Sequence, residues 1–167
     1  MKIRRISTLL SAGLIILVAV WFAGCKAAPP PAPAAPMTRA ESTSPLRAPA
    51  ELEFEFAENM KNVFFEFDKY RLVPEAKSTL ESNAAWLKQH TDIKVQIEGH
   101  CDERGTIEYN LALGERRSTS VRNYLMSLGV DGSRLFTISY GEERPAAMGH
   151  NEEAWSQNRR AEFKIAR

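Results

Sequence analysis

The chain has 167 residues, and 22 Lys and Arg against 21 Asp and Glu leave a formal net charge of +1. That balance argues against a nucleic-acid partner, which asks for a strongly basic face. Only two cysteines are present, Cys25 and Cys101, and with Cys25 in a leader-like segment no disulfide is expected. The fold must then rest on its hydrophobic core, for which about 110 residues suffice.

At the start, Lys2, Arg4 and Arg5 precede an apolar run from about Leu9 to Phe22, followed by Ala23, Gly24 and Cys25. A basic opening, a short apolar core and small residues make up a secretory signal. Its end resembles a bacterial lipobox, with Phe22 in the place of the usual Leu. The resemblance implies that residues 1–24 are removed and that Cys25 carries lipid as the mature N-terminus. An uncleaved anchor is the alternative, although Ile6 to Gly24 is barely long enough to span a bilayer. Export is expected either way. Residues 25–57 form the next segment; behind Cys25 it reads "KAAPPPAPAAPMTRAESTSPLRAPAE", rich in Pro and Ala and without apolar periodicity. Such a stretch cannot bury a core. At about 3.1 Å per residue it makes a semi-rigid tether with a reach approaching ~100 Å. Lys26, where lipoproteins kept in the inner membrane often have Asp, points by resemblance to the periplasmic face of the outer membrane.

From residue 58 to 167 the pattern becomes that of a folded domain. "NVFFEF" reads as a strand. "DIKVQIEG" alternates Ile93, Val95 and Ile97 with Lys94, Gln96 and Glu98; "RLFTISYG" groups Phe136, Ile138 and Tyr140; "AEFKIAR" groups Ala161, Phe163 and Ile165. Period two with one wet face predicts a sheet covered on a single side. Between the first three strands lie two helices. The first opens at Pro74, whose missing N–H is tolerated there, and carries Ala76, Leu80, Ala84 and Leu87. The second runs from about Ile107 to Leu128 and stops at Gly129. The expectation is an α/β (α+β) two-layer sandwich: a four-stranded mixed sheet with helices on one face. "ERPAAMGHNEEAWSQN" reads as a long loop with one helical turn around Glu152 to Ser156.

On the second helix, Leu113, Val121, Tyr124 and Leu128 share a face, yet Arg117 falls in the middle of it and Asn110 lies on the same side. An arginine among core positions is rarely buried without partners. Either it snorkels outward or pairs with a structural acid, or this end of the helix lines a pocket. Asp102, in the turn "GHCDERG" between the second strand and this helix, is placed to face both. Ligand crevices in open α/β sheets lie at such strand ends. Neither charge belongs to the apolar pattern, so substituting either is expected to leave the fold intact.

"GHCDERGTIEYNLALGERRSTSVRNYLMSLGV", with "RLFTISYGEERP" and "NRRAEF" in order and spacing, resembles the lipoprotein members of the OmpA-like domain family over nearly all of residues 58–167. The resemblance implies non-covalent binding of peptidoglycan stem peptides through diaminopimelate. It also implies a place in the Tol envelope system, with TolB as partner and a role in envelope integrity and constriction at division. Carried over by position, the acid is Asp102, the arginine that meets the diaminopimelate carboxylate is Arg117, the asparagine is Asn110, and Phe67 and Asp68 sit at the rim. The free end of diaminopimelate is a zwitterion: an acid accepts from its ammonium, and a guanidinium grips its carboxylate with two parallel bonds.

Other chemistries are disfavoured. A thiol enzyme would pair Cys101 with His100, but neighbours on a strand point to opposite faces. The same divergence, with His90 and His150 on distant segments, argues against a metal site. No enzymatic activity, metal or cofactor is expected. A flagellar stator shares this domain but needs an ion-carrying acid in a membrane helix, and the first 25 residues hold no Asp or Glu. A barrel protein lacks room upstream. An OmpA-like peptidoglycan-binding lipoprotein outside the Tol system remains the alternative.

Overall fold

The computed structural model describes residues 47–50 and 52–166. The leader, Cys25 and most of the tether lie outside the described residues. In chain order the elements are β1 (Glu55–Phe56), β2 (Val63–Phe64), α1 (Pro74–Gln89), β3 (Lys94–His100), α2 (Ile107–Ser127), β4 (Leu135–Gly141), α3 (Glu152–Asn158) and β5 (Arg160–Ala166).

These form a five-stranded sheet in the order β1-β5-β3-β4, with β2 also paired to β5. β3 and β4 are parallel, and β5 runs antiparallel to β3 and to both short strands. The four-stranded expectation is corrected by one strand. β1 and β2 share a single edge of β5 in tandem, so the sheet is still four positions wide and mixed. β1 also lies upstream of residue 58, where the folded pattern was expected to begin, and Ala57 is buried behind it.

Both long helices cover one face. Val95 and Ile97 of β3 and Ala161 and Phe163 of β5 meet Ala76, Leu80, Ala84 and Leu87 of α1 and Val121 and Leu125 of α2 in one core. Pro74 stands in the first turn of α1 as expected. α2 is capped by the Thr106 side chain, which accepts from the Tyr109 amide at 3.2 Å. Beyond its last turn, Gly129 takes φ +89°, a conformation that glycine adopts without strain. The expected single turn before β5 is a seven-residue helix, α3, capped by Asn151.

β4 faces the opposite way from its apolar alternation. Its pairing with β3 sets Leu135, Thr137 and Ser139 beside Val95, Ile97 and Gly99 on the helix side, leaving Phe136, Ile138 and Tyr140 on the other face. The cause is the close approach of α2. A Cβ on Gly99 would stand 1.9 Å from the Gly114 carbonyl oxygen, and one on Gly114 would stand 2.3 Å from Ser139 Oγ. Only small side chains fit beneath the helix there, so the bulky set is forced outward.

Candidate ligand-binding site

A cavity of about 270 Å³ opens where β3 ends, between the turn into α2, the first turns of α2 and the β2–α1 loop. Phe67, Asp68, Asp102, Asn110 and Arg117, the five residues singled out in the sequence of this domain, all line it, together with Arg104 and Tyr109. The contacts among them differ from expectation.

Arg117 is 1% exposed and among the largest fully buried side chains. It neither snorkels nor pairs directly with an acid. Its Nε donates to the Lys69 carbonyl (2.9 Å), Nη1 to the His100 carbonyl (2.7 Å) and the Cys101 thiol (3.4 Å), and Nη2 to the Glu66 carbonyl (3.2 Å). Of its five N–H groups, these bonds leave one on Nη2. Arg117 therefore ties the β2–α1 loop to the end of β3. The expectation that its substitution leaves the fold untouched is corrected: burial and these carbonyl contacts make it a structural member.

Asp102 is buried too, and its partners are arginines that sequence reasoning passed over. Arg104 donates to it from Nη2 at 2.7 Å and Arg159 from Nη1 at 3.2 Å. Burial works to raise the carboxyl pKa, but the hydrogen bonds from Arg104 and Arg159 outweigh it, and the net shift is downward. The direct facing of Asp102 and Arg117 is thus replaced by a shared cavity in which each is held by other groups. The Arg104 guanidinium lies between the rings of Phe67 (3.9 Å to the centroid) and Trp155 (4.1 Å), an arrangement that attracts and orients a cation. Arg159 also donates to the Phe65 carbonyl and pairs with Glu152.

Asn110 directs its amide toward the carbonyls of Asp102 and Arg104 (3.2 and 3.4 Å) and toward Glu142, pinning the turn that carries Asp102. At the rim, Tyr109 donates its hydroxyl to Asp68. Asp68 has φ +56°, which short polar side chains tolerate better than most. Glu103 accepts from Trp155 Nε1 (2.9 Å) and from His150 (2.7 Å), so His150 reaches the neighbourhood of the site from a distant segment.

His100 and Cys101 do diverge. The Cys101 thiol faces the cavity and donates to the Asn110 carbonyl at 3.3 Å, and burial pushes its pKa up to about 11. A thiol so protonated is a poor nucleophile. His100 faces the helix-free side, stacked on Tyr140 with neither ring nitrogen hydrogen-bonded, and burial lowers its pKa. Among the described residues no group of three or more His, Cys, Asp or Glu could hold a metal ion.

Arg159 carried a faint sequence signal, a double arginine directly before a strand. Arg104 carried none, because its aromatic sandwich joins three separate segments.

The sheet with helices on one face and a charged crevice at the end of β3 defines an OmpA-like domain. The OmpA family pattern matches residues 64–159, more than half of the chain, and the chain belongs to that family. It is 52% identical over 99 residues to the peptidoglycan-associated lipoprotein of Haemophilus influenzae, covering 59% of this chain and 65% of that one. It is also 52% identical over 101 residues to the protein of that name from Pseudomonas aeruginosa, covering 60% of each. The matched stretch is therefore under two thirds of these relatives' own length. The crystal structure of the peptidoglycan-associated lipoprotein from Burkholderia pseudomallei superposes with a TM-score of 0.61 at 43% identity, covering 63% of this chain and 89% of that one. The C-terminal domain of Helicobacter pylori MotB also gives 0.61, at 20% identity, covering 65% of this chain and 85% of that one. That likeness is one of fold alone.

Proposed function

We propose that this chain binds peptidoglycan without cutting it, through the zwitterionic end of diaminopimelate, and fastens the outer membrane to the wall by a lipid on Cys25. The observation that carries the reading is a buried carboxylate, Asp102, and a buried guanidinium, Arg117, lining one open cavity. A zwitterion needs groups of both signs at fixed separation. The relatives' shared name, peptidoglycan-associated lipoprotein, supports it.

In this reading the ligand's ammonium takes a place at Asp102, beside or instead of Arg104. The ligand's carboxylate takes the remaining N–H of Arg117. A second parallel bond must come from Arg104 once it is released, or from a carbonyl contact that Arg117 gives up. Asn110 holds the turn, and Phe67 and Asp68 close the rim. Each contact is modest, but many copies tethered beside a continuous polymer raise the effective concentration of sites. Many weak, reversible contacts then hold the envelope and still relocate during division. Membership of the Tol system follows in the same reading, with TolB competing for the free domain over this crevice.

Co-sedimentation with purified walls tests the reading. Wild-type protein should pellet with diaminopimelate-type peptidoglycan and bind lysine-type walls, which lack the carboxylate, far more weakly. Asp102→Asn should lose about 2–5 kcal/mol of binding while still folding, because the partner charges are left unmatched. Equal binding to both wall types, or full binding by the folded variant, would overturn the assignment. Capture of TolB that soluble stem peptide fails to displace would remove the competition from it.

A further inference from the structure

The cavity adjoins two further hollows, and they differ in charge. On one side it shares Cys101 with a hollow of about 340 Å³ that includes Glu103 and Glu142. His150, also at that hollow, is already paired with Glu103. On the other side it shares Asp68 with a wider groove of about 780 Å³ between the β2–α1 loop, α1 and α2. Lys69, Arg71 and Lys77 line this groove with the exposed ring of Tyr70. The Arg116 guanidinium lies over that ring at 5.8 Å.

None of these four cations takes part in an ion pair among the described residues, whereas Arg104, Arg159, Arg160 and Lys164 all do. The one acid lining the groove is Asp68, which accepts from Tyr109, set against three cations. The groove therefore carries a net excess of positive charge beside an aromatic platform, and it adjoins the cavity at Asp68.

We infer that this groove is a second subsite, which takes the anionic arm of the ligand. The inference rests on the reading of the cavity given above. A stem peptide anchored by the side-chain end of diaminopimelate must run out of the cavity, and its backbone carries free carboxylates on the γ-linked glutamate and at the chain terminus. The Glu103–Glu142 side is lined by two carboxylates and no lysine or arginine and disfavours them; the Lys69–Arg71–Lys77 side, three cations against Asp68, attracts them. Tyr70 offers a flat face for the peptide stem.

Calorimetric titration of the full chain separates the two subsites. The probes are free diaminopimelate and two diaminopimelate tripeptides, one with the glutamate α-carboxylate free and one with it amidated. Wild type should prefer the free acid by about three- to tenfold at low salt, the scale of one or two solvent-exposed ion pairs, and high salt should erase the preference. The double variant Arg71→Gln/Lys77→Gln should bind both tripeptides alike and keep wild-type affinity for free diaminopimelate. Wild type that binds the two tripeptides equally, or a preference that survives in the double variant, overturns the groove and leaves the cavity standing. Failure of wild type to bind any of the three probes overturns the cavity, and the groove with it.

Discussion

Replacing Arg117 by alanine should damage the fold before it damages binding. Three backbone carbonyls lose their donor, at Glu66, Lys69 and His100. The first two belong to exposed loop residues, and water can replace part of what they lose. His100 is 1% exposed, so its carbonyl is left unpaired inside the protein, which costs about 1–3 kcal/mol by itself. Adding the partly compensated loop contacts and the void left by the guanidinium brings the loss to about 3–5 kcal/mol. For a domain of this size that corresponds to a fall in Tm of roughly 15 °C or more. Urea unfolding followed by circular dichroism measures it directly. Arg117→Lys keeps the charge but cannot span the same carbonyls, so it should fall between wild type and alanine. An alanine variant within about 1 kcal/mol of wild type would refute the structural role, since a side chain that merely waits for ligand costs little to remove.

Three further outcomes follow, two from named contacts and one from the proposed lipid anchor. Asp102 has its pKa depressed in the folded state, so its stabilising share is present above the unfolded carboxylate value of about 3.9 and is lost as pH falls through the folded value. The stability gap between wild type and Asp102→Asn should therefore be wide at neutral pH and narrow in acid, read by urea titrations at both; a gap independent of pH would contradict it. Gly114→Ala drives a Cβ to 2.3 Å from Ser139 Oγ and 2.8 Å from the Gly99 carbonyl oxygen, and should cost about 1–3 kcal/mol in unfolding free energy. Adding Ser139→Gly should restore only part, because the backbone contact stays. Cys25→Ser should yield unprocessed or soluble protein on fractionation, because acyl chains contribute about 0.8 kcal/mol per buried methylene; a processed, membrane-retained form would contradict lipidation.

What the sequence disclosed tracks where side chains alone decide the outcome. Val95, Ile97, Ala161 and Phe163 alternate because one face of β3 and β5 meets the helices, and the pattern read correctly. β4 carries an equally clear alternation that pointed the wrong way, since the deciding factor was the room left by Gly99 and Gly114 under α2. β1 was hidden by its length: two residues give no period, although Leu52, Phe54 and Phe56 alternate with Glu51, Glu53 and Glu55. At the site, Arg117 and Asn110 betrayed themselves as polar residues on an apolar helical face. Their partners did not. Arg117 is held mainly by backbone carbonyls, which every residue has, and Arg104 by rings from segments that only the fold brings together.

The short strands have a mechanical side. β1 pairs with the last residues of β5, Phe56 opposite Lys164, while Arg159 at the cavity directly precedes the first. At about 3.3 Å per residue the chain thus enters the sheet some ~20 Å from the crevice, at the opposite pole. With ligand held in the crevice and tension applied through the N-terminal tether, the pull runs along the strand axis. The hydrogen bonds that β1 and β2 make to β5 are then strained together in shear and not peeled apart singly. Resistance to such a pull is set by the height of the unfolding barrier along that direction and not by equilibrium stability. On the proposed reading, with Cys25 in the membrane and the crevice on the wall, four strand residues in two short pieces become the first rung to bear load.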